Sequence, residues 1–246
     1  MARAIGFSYP QRARITRLAP TSRLQQASWF VAVSAVAFLV PLVFSSWLDL
    51  HHDLYYLLYF TIVAALLAAY VRTSDIDVTE VMTRNWKLSV ALGIASAAFV
   101  TWSVLGRIAA TPHPSGVYFA FEIGWRGVVY GIVDALLLSA FPGLIARELM
   151  QRRLAGARRR LGYGALTLAL VMIITATYHA GYEDLRNVPG ISQPEIGNSI
   201  ISIPVIASAN PVGSLLAHVS MHLAAVTHAY ESKDRLPPQV FVGSGR

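Results

Sequence analysis

The sequence contains no cysteine among its 246 residues, and this absence removes a whole class of chemistry. Disulfide bonds, thiolate zinc sites, iron–sulfur clusters and cysteine nucleophiles are all excluded. A metal ion bound by this chain must therefore take its protein ligands from histidine, aspartate and glutamate side chains.

Charged residues are also scarce in this chain. Asp, Glu, Lys and Arg make up 13% of the residues, whereas 55% are hydrophobic and the mean hydropathy is +0.51. Soluble domains carry about 25% charged residues, so this composition predicts an all-α, polytopic integral membrane bundle. We expect the formal charge of +7 to reflect membrane topology and anionic lipid headgroups, with the lipid bilayer as partner and no nucleic acid.

Apolar runs of spanning length predict about six transmembrane helices. They lie at about 28–48, 54–71, 88–105, 117–145, 163–178 and 211–230. A further apolar run, 196–209, is short of the roughly 20 residues that a span needs, and it contains Pro204. This run predicts a short broken or re-entrant helix. A single membrane domain, 27–230, is thus expected between a basic N-terminal segment, 1–26, and a polar tail, 231–246.

Two arginine-rich segments set the expected orientation in the cell membrane. Segment 1–26 and loop 147–160 both favour the cytoplasm by the positive-inside rule, and four spans between them allow this. The N-terminus is therefore expected to be cytoplasmic. The turns 49–53, 107–116 and 180–195 are then expected on the outer side. If 196–209 is re-entrant, the polar residues of the last spans lie at a similar depth; if it spans fully, they do not.

Two histidines at membrane depth mark the last span as the centre of the predicted site. His218 and His222 are four residues apart, so a helix places both imidazoles on one face. Asn210 and Pro211 begin a bend before this helix, and we expect Asn210 to have a structural role. Ionisable side chains at this depth usually face a cavity, a partner or a metal. The alternative is two packed histidines that donate to serine or backbone oxygens.

Four residues form the predicted site: Glu122, His179, His218 and His222. They are suitable ligands for Zn²⁺ or a similar divalent ion, and a metal with an open position activates water. Without a metal, Glu122 and His179 are a pair that can activate water. Arg126 follows Glu122 by four residues, so it is either an orienting residue of the site or the partner in an intrahelical salt bridge.

The remaining histidines are interpreted as structural or solvated. His51, His52 and His113 lie in predicted outer turns, where solvated loop residues are expected and metal binding is the alternative. His228 is expected to complement the dipole at the end of its helix.

Three short patterns resemble the CPBP family, which includes CAAX prenyl proteases and bacteriocin-processing enzymes. Phe121-Glu122-Ile-Gly-Trp-Arg126-Gly127 resembles the motif Glu-Glu-x-x-x-Arg. Thr-Tyr178-His179 is similar to the end of Phe-x-x-x-His, and His218-x-x-x-His222 resembles the third motif. The resemblance covers about 118–230. It implies an intramembrane endopeptidase that uses Glu122, His179, His218 and His222 on a membrane-inserted peptide or protein.

The motifs also depart from the family pattern. Phe121 stands in place of the first glutamate, Thr175 in place of the phenylalanine, and His222 in place of an asparagine or small residue. These differences leave three interpretations open: Glu122 takes over the missing role, a metal replaces it, or the chain is an inactive accessory or structural protein of the same fold. A haem held axially by histidines of facing helices is a further alternative, with His179 as the expected partner.

Overall fold

The computed structural model describes residues 21–183, 185 and 192–230, and these residues form helices and no strand. The chain order is α1 (Arg23–Trp47), α2 (His52–Thr73), α3 (Val78–Thr83), α4 (Trp86–Arg107), α5 (Gly116–Leu149), α6 (Ala157–Tyr182), α7 (Ser192–Ile201), α8 (Ile203–Ser208) and α9 (Val212–His228). The predicted tail, 231–246, and residues 1–20 of the predicted N-terminal segment lie outside the described residues.

Five of these helices are long and apolar enough to cross a membrane: α1, α2, α4, α5 and α6. The prediction of an all-α polytopic membrane protein is confirmed at this level. The sixth predicted span is not confirmed, because α9 has 17 residues and a span needs about 20. The cytoplasmic position of the N-terminus stays a prediction.

The apolar run 196–209 belongs to two short helices, α7 and α8, that meet at Ser202. Pro204 lies in the first turn of α8, where its missing N–H costs no helical hydrogen bond. Ala209 then adopts a left-handed conformation with φ 57°, which ends α8. The chain thus breaks twice within this run.

Asn210 fixes the bend between α8 and α9. Its side-chain amide donates to the carbonyl oxygens of Met82 at 2.9 Å and Arg84 at 2.7 Å, and its Oδ1 accepts the N–H of Val212 at 2.9 Å. One buried side chain therefore satisfies a backbone N–H just after the bend and two carbonyl oxygens at the α3–α4 connection. This geometry agrees with the structural role expected for Asn210.

Helix α9 packs closely between α4 and α5 because glycines line its path. A Cβ added to Gly93 would lie 2.5 Å from the Cα of Gly213, and a Cβ on Gly213 would overlap the Ser89 carbonyl oxygen. On the other side, a Cβ on Gly131 would lie 2.8 Å from the Cα of Val219. Small residues at such contacts let helix backbones approach in membrane proteins. The histidines of α9 are thereby brought close to α5.

Substitution of Gly213 tests this packing. We expect Gly213→Ala to lower the free energy of unfolding in detergent by about 1–3 kcal/mol, because the new methyl group overlaps backbone that cannot move alone. The matched control is Gly124→Ala, whose methyl group would meet nothing within 4 Å. Thermal unfolding followed by circular dichroism measures both variants. Equal midpoints for the two variants would contradict the close approach of α4 and α9.

Candidate metal centre

Asp134 lies in α5 between two π-helical segments. The segments Ile123–Val129 and Leu136–Ala140 flank a single α-helical stretch, Tyr130–Ala135, that carries this carboxylate. Isolated π turns inside α-helices are frequent at functional sites, because each extra residue redirects the side chains that follow. Asp134 is buried, with 5% of its surface exposed.

The carboxylate of Asp134 meets the two predicted histidines of α9. Its Oδ2 lies 3.2 Å from His222 Nε2 and 3.9 Å from His218 Nδ1. Each of the three residues offers one ligand atom within 4.8 Å of the other two, and both histidines are buried. Ligands about 2.0 Å from a tetrahedral ion are about 3.3 Å apart, so the two measured separations are close to a coordination shell. We call Asp134, His218 and His222 the central group.

A serine pair orients His218 toward the carboxylate. His218 Nε2 lies 3.2 Å from Ser139 Oγ, which in turn lies 2.7 Å from Ser202 Oγ. When Nε2–H donates to Ser139, the lone pair of Nδ1 points toward Asp134, and Nδ1 has no hydrogen-bond partner of its own. Metal-bound histidines usually donate their second ring nitrogen in this way. His218 therefore has the arrangement of a ligand.

Tyrosines complete the surroundings of the central group. Tyr59 donates its hydroxyl to Asp134 Oδ1 at 3.0 Å, which leaves Oδ2 to the histidines. The ring of Tyr130 lies edge-on to His222, with centroids 4.5 Å apart. Tyr178 bridges the hydroxyls of Tyr130 and Tyr182, at 2.9 Å each. His222 Nδ1 has no partner among the described residues.

Two histidines and one carboxylate make a versatile ligand set. The same set holds catalytic zinc in some hydrolases, and it holds non-haem iron in oxygenases. In helical zinc proteases a His-Glu-x-x-His pattern adds a general base directly after the first histidine. Val219 occupies that position here. The central group thus has the ligands of such a site without the adjacent carboxylate base.

The central group contains two of the four predicted site residues. His218 and His222 lie on one face of α9 with ring centroids 6.3 Å apart, as the spacing indicates. Glu122 and His179 are not members of this group. His179 is partly exposed and contacts the rings of Tyr178 and Tyr182.

Asp134 was missed by sequence reasoning, although the sequence contains a signal for it. It is the only charged residue between Gly127 and Ala146, in the middle of a long apolar run. A lone carboxylate at membrane depth is expensive and therefore indicates a functional site. The motif around Glu122 instead predicts a site near the start of the same helix. The predicted zinc site thus has a structural counterpart that could hold a metal, with Asp134 as its carboxylate.

Glu122 is engaged in the intrahelical salt bridge that its spacing allows. Arg126 Nη1 donates to Glu122 Oε2 at 2.7 Å, and both side chains are fully buried. The hydroxyl of Tyr230 donates to the same oxygen at 3.2 Å, and the Arg126 guanidinium lies 4.4 Å from the Tyr230 ring centroid. The pair therefore ties the start of α5 to the residues that follow α9.

Comparison of the chain with protein-family models, curated proteins and solved structures finds no match. The resemblance to the CPBP family therefore stays a prediction that rests on the three motifs.

The buried Glu122–Arg126 pair gives a stability test. We expect Glu122→Gln to lower the free energy of unfolding by about 3–5 kcal/mol, because it leaves the buried Arg126 guanidinium without a counter-charge. The double variant Glu122→Gln/Arg126→Gln is the control and should recover most of this loss. Chemical unfolding in mixed micelles measures both. A single variant as stable as the wild type would show that the pair is solvated.

Proposed function

We propose that this chain is a membrane-embedded metallohydrolase whose central group holds a divalent ion such as Zn²⁺. The observation that carries the proposal is the meeting of one ligand atom each from Asp134, His218 and His222 in a buried position between apolar helices. The proposed substrate class is a membrane-inserted peptide or protein, which follows from the resemblance of the α5, α6 and α9 motifs to intramembrane endopeptidases.

The energetics of burial support a bound cation. A carboxylate inside an apolar bundle loses its hydration, and hydrogen bonds from Tyr59 and His222 restore only part of it. Two neutral imidazoles and one carboxylate carry a single negative charge, which a divalent ion overcompensates. Polar residues that are this costly to bury are usually found at membrane depth where they bind a ligand or take part in a reaction.

The residues around the central group have distinct roles in this proposal. A divalent ion with an open coordination position supplies an activated water and polarises a carbonyl group. Tyr59 holds one oxygen of Asp134, and Ser139 holds the ring of His218. In hydrolysis, the water oxygen adds to the scissile carbonyl carbon, the C–N bond breaks, and the proton from water ends on the leaving nitrogen.

A second candidate is a metal-binding membrane protein without hydrolytic activity. The specific observation in its favour is Val219, which stands where a helical zinc protease has its general base. The only acid in the central group is Asp134, which is itself a ligand in the proposal. Both candidate functions share the metal site, but only the first includes hydrolysis of a substrate.

Metal content tests what the two candidates share. We expect Asp134→Asn, His218→Ala and His222→Ala each to lose one equivalent of tightly bound zinc relative to the wild type, because each removes a ligand. His228→Ala is the matched control, since it lies on the same helix and bonds the Ile108 carbonyl oxygen instead. Mass spectrometry of protein purified without a polyhistidine tag measures the content. Unchanged zinc in all three variants would remove the central group from metal binding.

Turnover separates the two candidates. We expect the wild-type protein in lipid nanodiscs to cleave transmembrane peptides in heavy-oxygen water, with label in the new carboxyl termini found by mass spectrometry. Asp134→Asn should lose this cleavage by about a hundredfold or more, because the ion and its water are lost together. The Glu122→Gln/Arg126→Gln variant should retain it. Zinc binding without cleavage of any peptide would favour the second candidate.

A further inference from the structure

We propose a second divalent-metal site at the start of α2, formed by His51, His52, Asp53 and Glu122. We call these four residues the His52 cluster. Its first three members are consecutive at the junction before α2, and the fourth comes from α5. The site uses none of the residues of the central group, so it does not depend on the proposed function.

The possible ligand atoms of the His52 cluster lie close to the side chains of His52 and Asp53. His52 Nε2 lies 3.4 Å from Asp53 Oδ1 and 3.8 Å from Glu122 Oε1. His51 Nδ1 caps α2 by accepting the Asp53 N–H at 3.4 Å and lies 3.6 Å from Asp53 Oδ2, and the two imidazole rings are 4.2 Å apart. His51, His52 and Asp53 each offer one ligand atom within 4.8 Å of the others, whereas Glu122 lies outside that grouping and approaches it at His52 Nε2. Two imidazoles and two carboxylates are ligands that Zn²⁺ accepts.

Two carboxylate oxygens in this cluster have no hydrogen-bond donor within the part of the chain that the structure describes. Glu122 is fully buried, and its Oε1 is unpartnered while its Oε2 accepts from Arg126 and Tyr230. Asp53 Oδ1 is also a buried oxygen without a partner. A buried carboxylate oxygen that is left without a donor or a cation destabilises the folded state. Both oxygens lie on the side of His52 Nε2, so one cation there would satisfy both.

A proton on His52 explains this geometry less well than a metal ion. Hydrogen bonds to nitrogen are typically about 2.7–3.2 Å long, and a single Nε2–H cannot point at Asp53 and Glu122 together. Both distances from Nε2 are longer than this range, and the Tyr118 hydroxyl lies 3.5 Å from the same nitrogen. They are close to the separation of about 3.3 Å between ligands of a tetrahedral zinc ion.

The His52 cluster is open to water, unlike the central group. The side chain of His51 is 68% exposed and that of His52 is 13% exposed, so an ion can enter from solvent. The positive end of the α2 dipole weakly opposes a cation at this position. The carboxylates of Asp53 and Glu122 outweigh the dipole and the single Arg126 charge. Because one side of the cluster is exposed to solvent, we expect a bound ion to exchange.

Zinc titration against a chromophoric chelator tests the second site. The wild-type protein, purified without a polyhistidine tag and placed in nanodiscs, should bind two equivalents. We expect His51→Ala/His52→Ala to bind one equivalent, and Asp134→Asn/His222→Ala to keep the other. His113→Ala is the control, because this histidine is exposed, donates its Nδ1–H to the Pro114 carbonyl oxygen and stacks on Phe119.

The variant Glu122→Gln/Arg126→Gln tests the contribution from α5 without leaving a buried unpaired charge. It should weaken zinc binding at the His52 cluster by about tenfold or more, because one ligand is lost. Unchanged stoichiometry in His51→Ala/His52→Ala would overturn the second site and leave the central group standing. A wild-type protein that binds a single equivalent, lost in His51→Ala/His52→Ala and kept in Asp134→Asn/His222→Ala, would overturn the proposed function and leave the His52 cluster standing.

Discussion

A buried carboxylate facing two imidazoles is the interaction on which the rest of this structure depends. Asp134 sits in the most deeply buried helix of the bundle, and its charge requires partners that apolar neighbours cannot supply. His218 and His222 supply them only because α9 approaches α5 at Gly131. Tyr59 and Ser139 then fix the orientation of the carboxylate and of one imidazole. The packing of α9 on α5 therefore brings the site residues together, and the bonds among these residues join the same helices.

Helix α5 carries its polar residues as one buried row. Glu122, Arg126, Tyr130 and Asp134 are spaced by four residues, and all four are buried. A regular α-helix has 3.6 residues per turn, so such a row would drift around it. A π turn contains more residues than an α turn, so the π segment Ile123–Val129, which lies within this row, counteracts the drift. Helix α5 thus contributes one carboxylate, Glu122, to the His52 cluster and a second carboxylate, Asp134, to the central group.

The two clusters differ in the physical cost of their charges. The central group has little exposure; a tyrosine hydroxyl donates to Asp134 Oδ1, a serine hydroxyl bonds His218 Nε2, and both histidine Nδ1 atoms lack a partner among the described residues. The His52 cluster lies at a helix start, is open to water and leaves two carboxylate oxygens without donors. A buried site of fixed geometry suits an ion that stays, whereas an open site suits one that exchanges. This contrast gives the two proposals separate experimental signatures.

The sequence was sufficient for the membrane class, for the pairing of His218 with His222 and for the bend at Asn210, because each follows from local composition or spacing. Asp134 carries a sequence signal as the lone charge of its apolar run, but its meeting with the α9 histidines depends on the rotation that a π segment imposes on α5, which cannot be read from residue order. The Glu122–Arg126 salt bridge was one of two interpretations left open by a four-residue spacing. The predicted depth in the membrane was not enough to identify the ligands, since side chains at a similar depth can face different neighbours.

X-ray absorption at the zinc edge is the most direct test of the central claim. The sample is zinc-loaded His51→Ala/His52→Ala protein, in which only the central group is expected to hold the ion. The account predicts two imidazoles and oxygen ligands at about 2.0–2.1 Å, and the loss of this signal in Asp134→Asn. A zinc shell without imidazole scattering, or the same shell in Asp134→Asn, would contradict it.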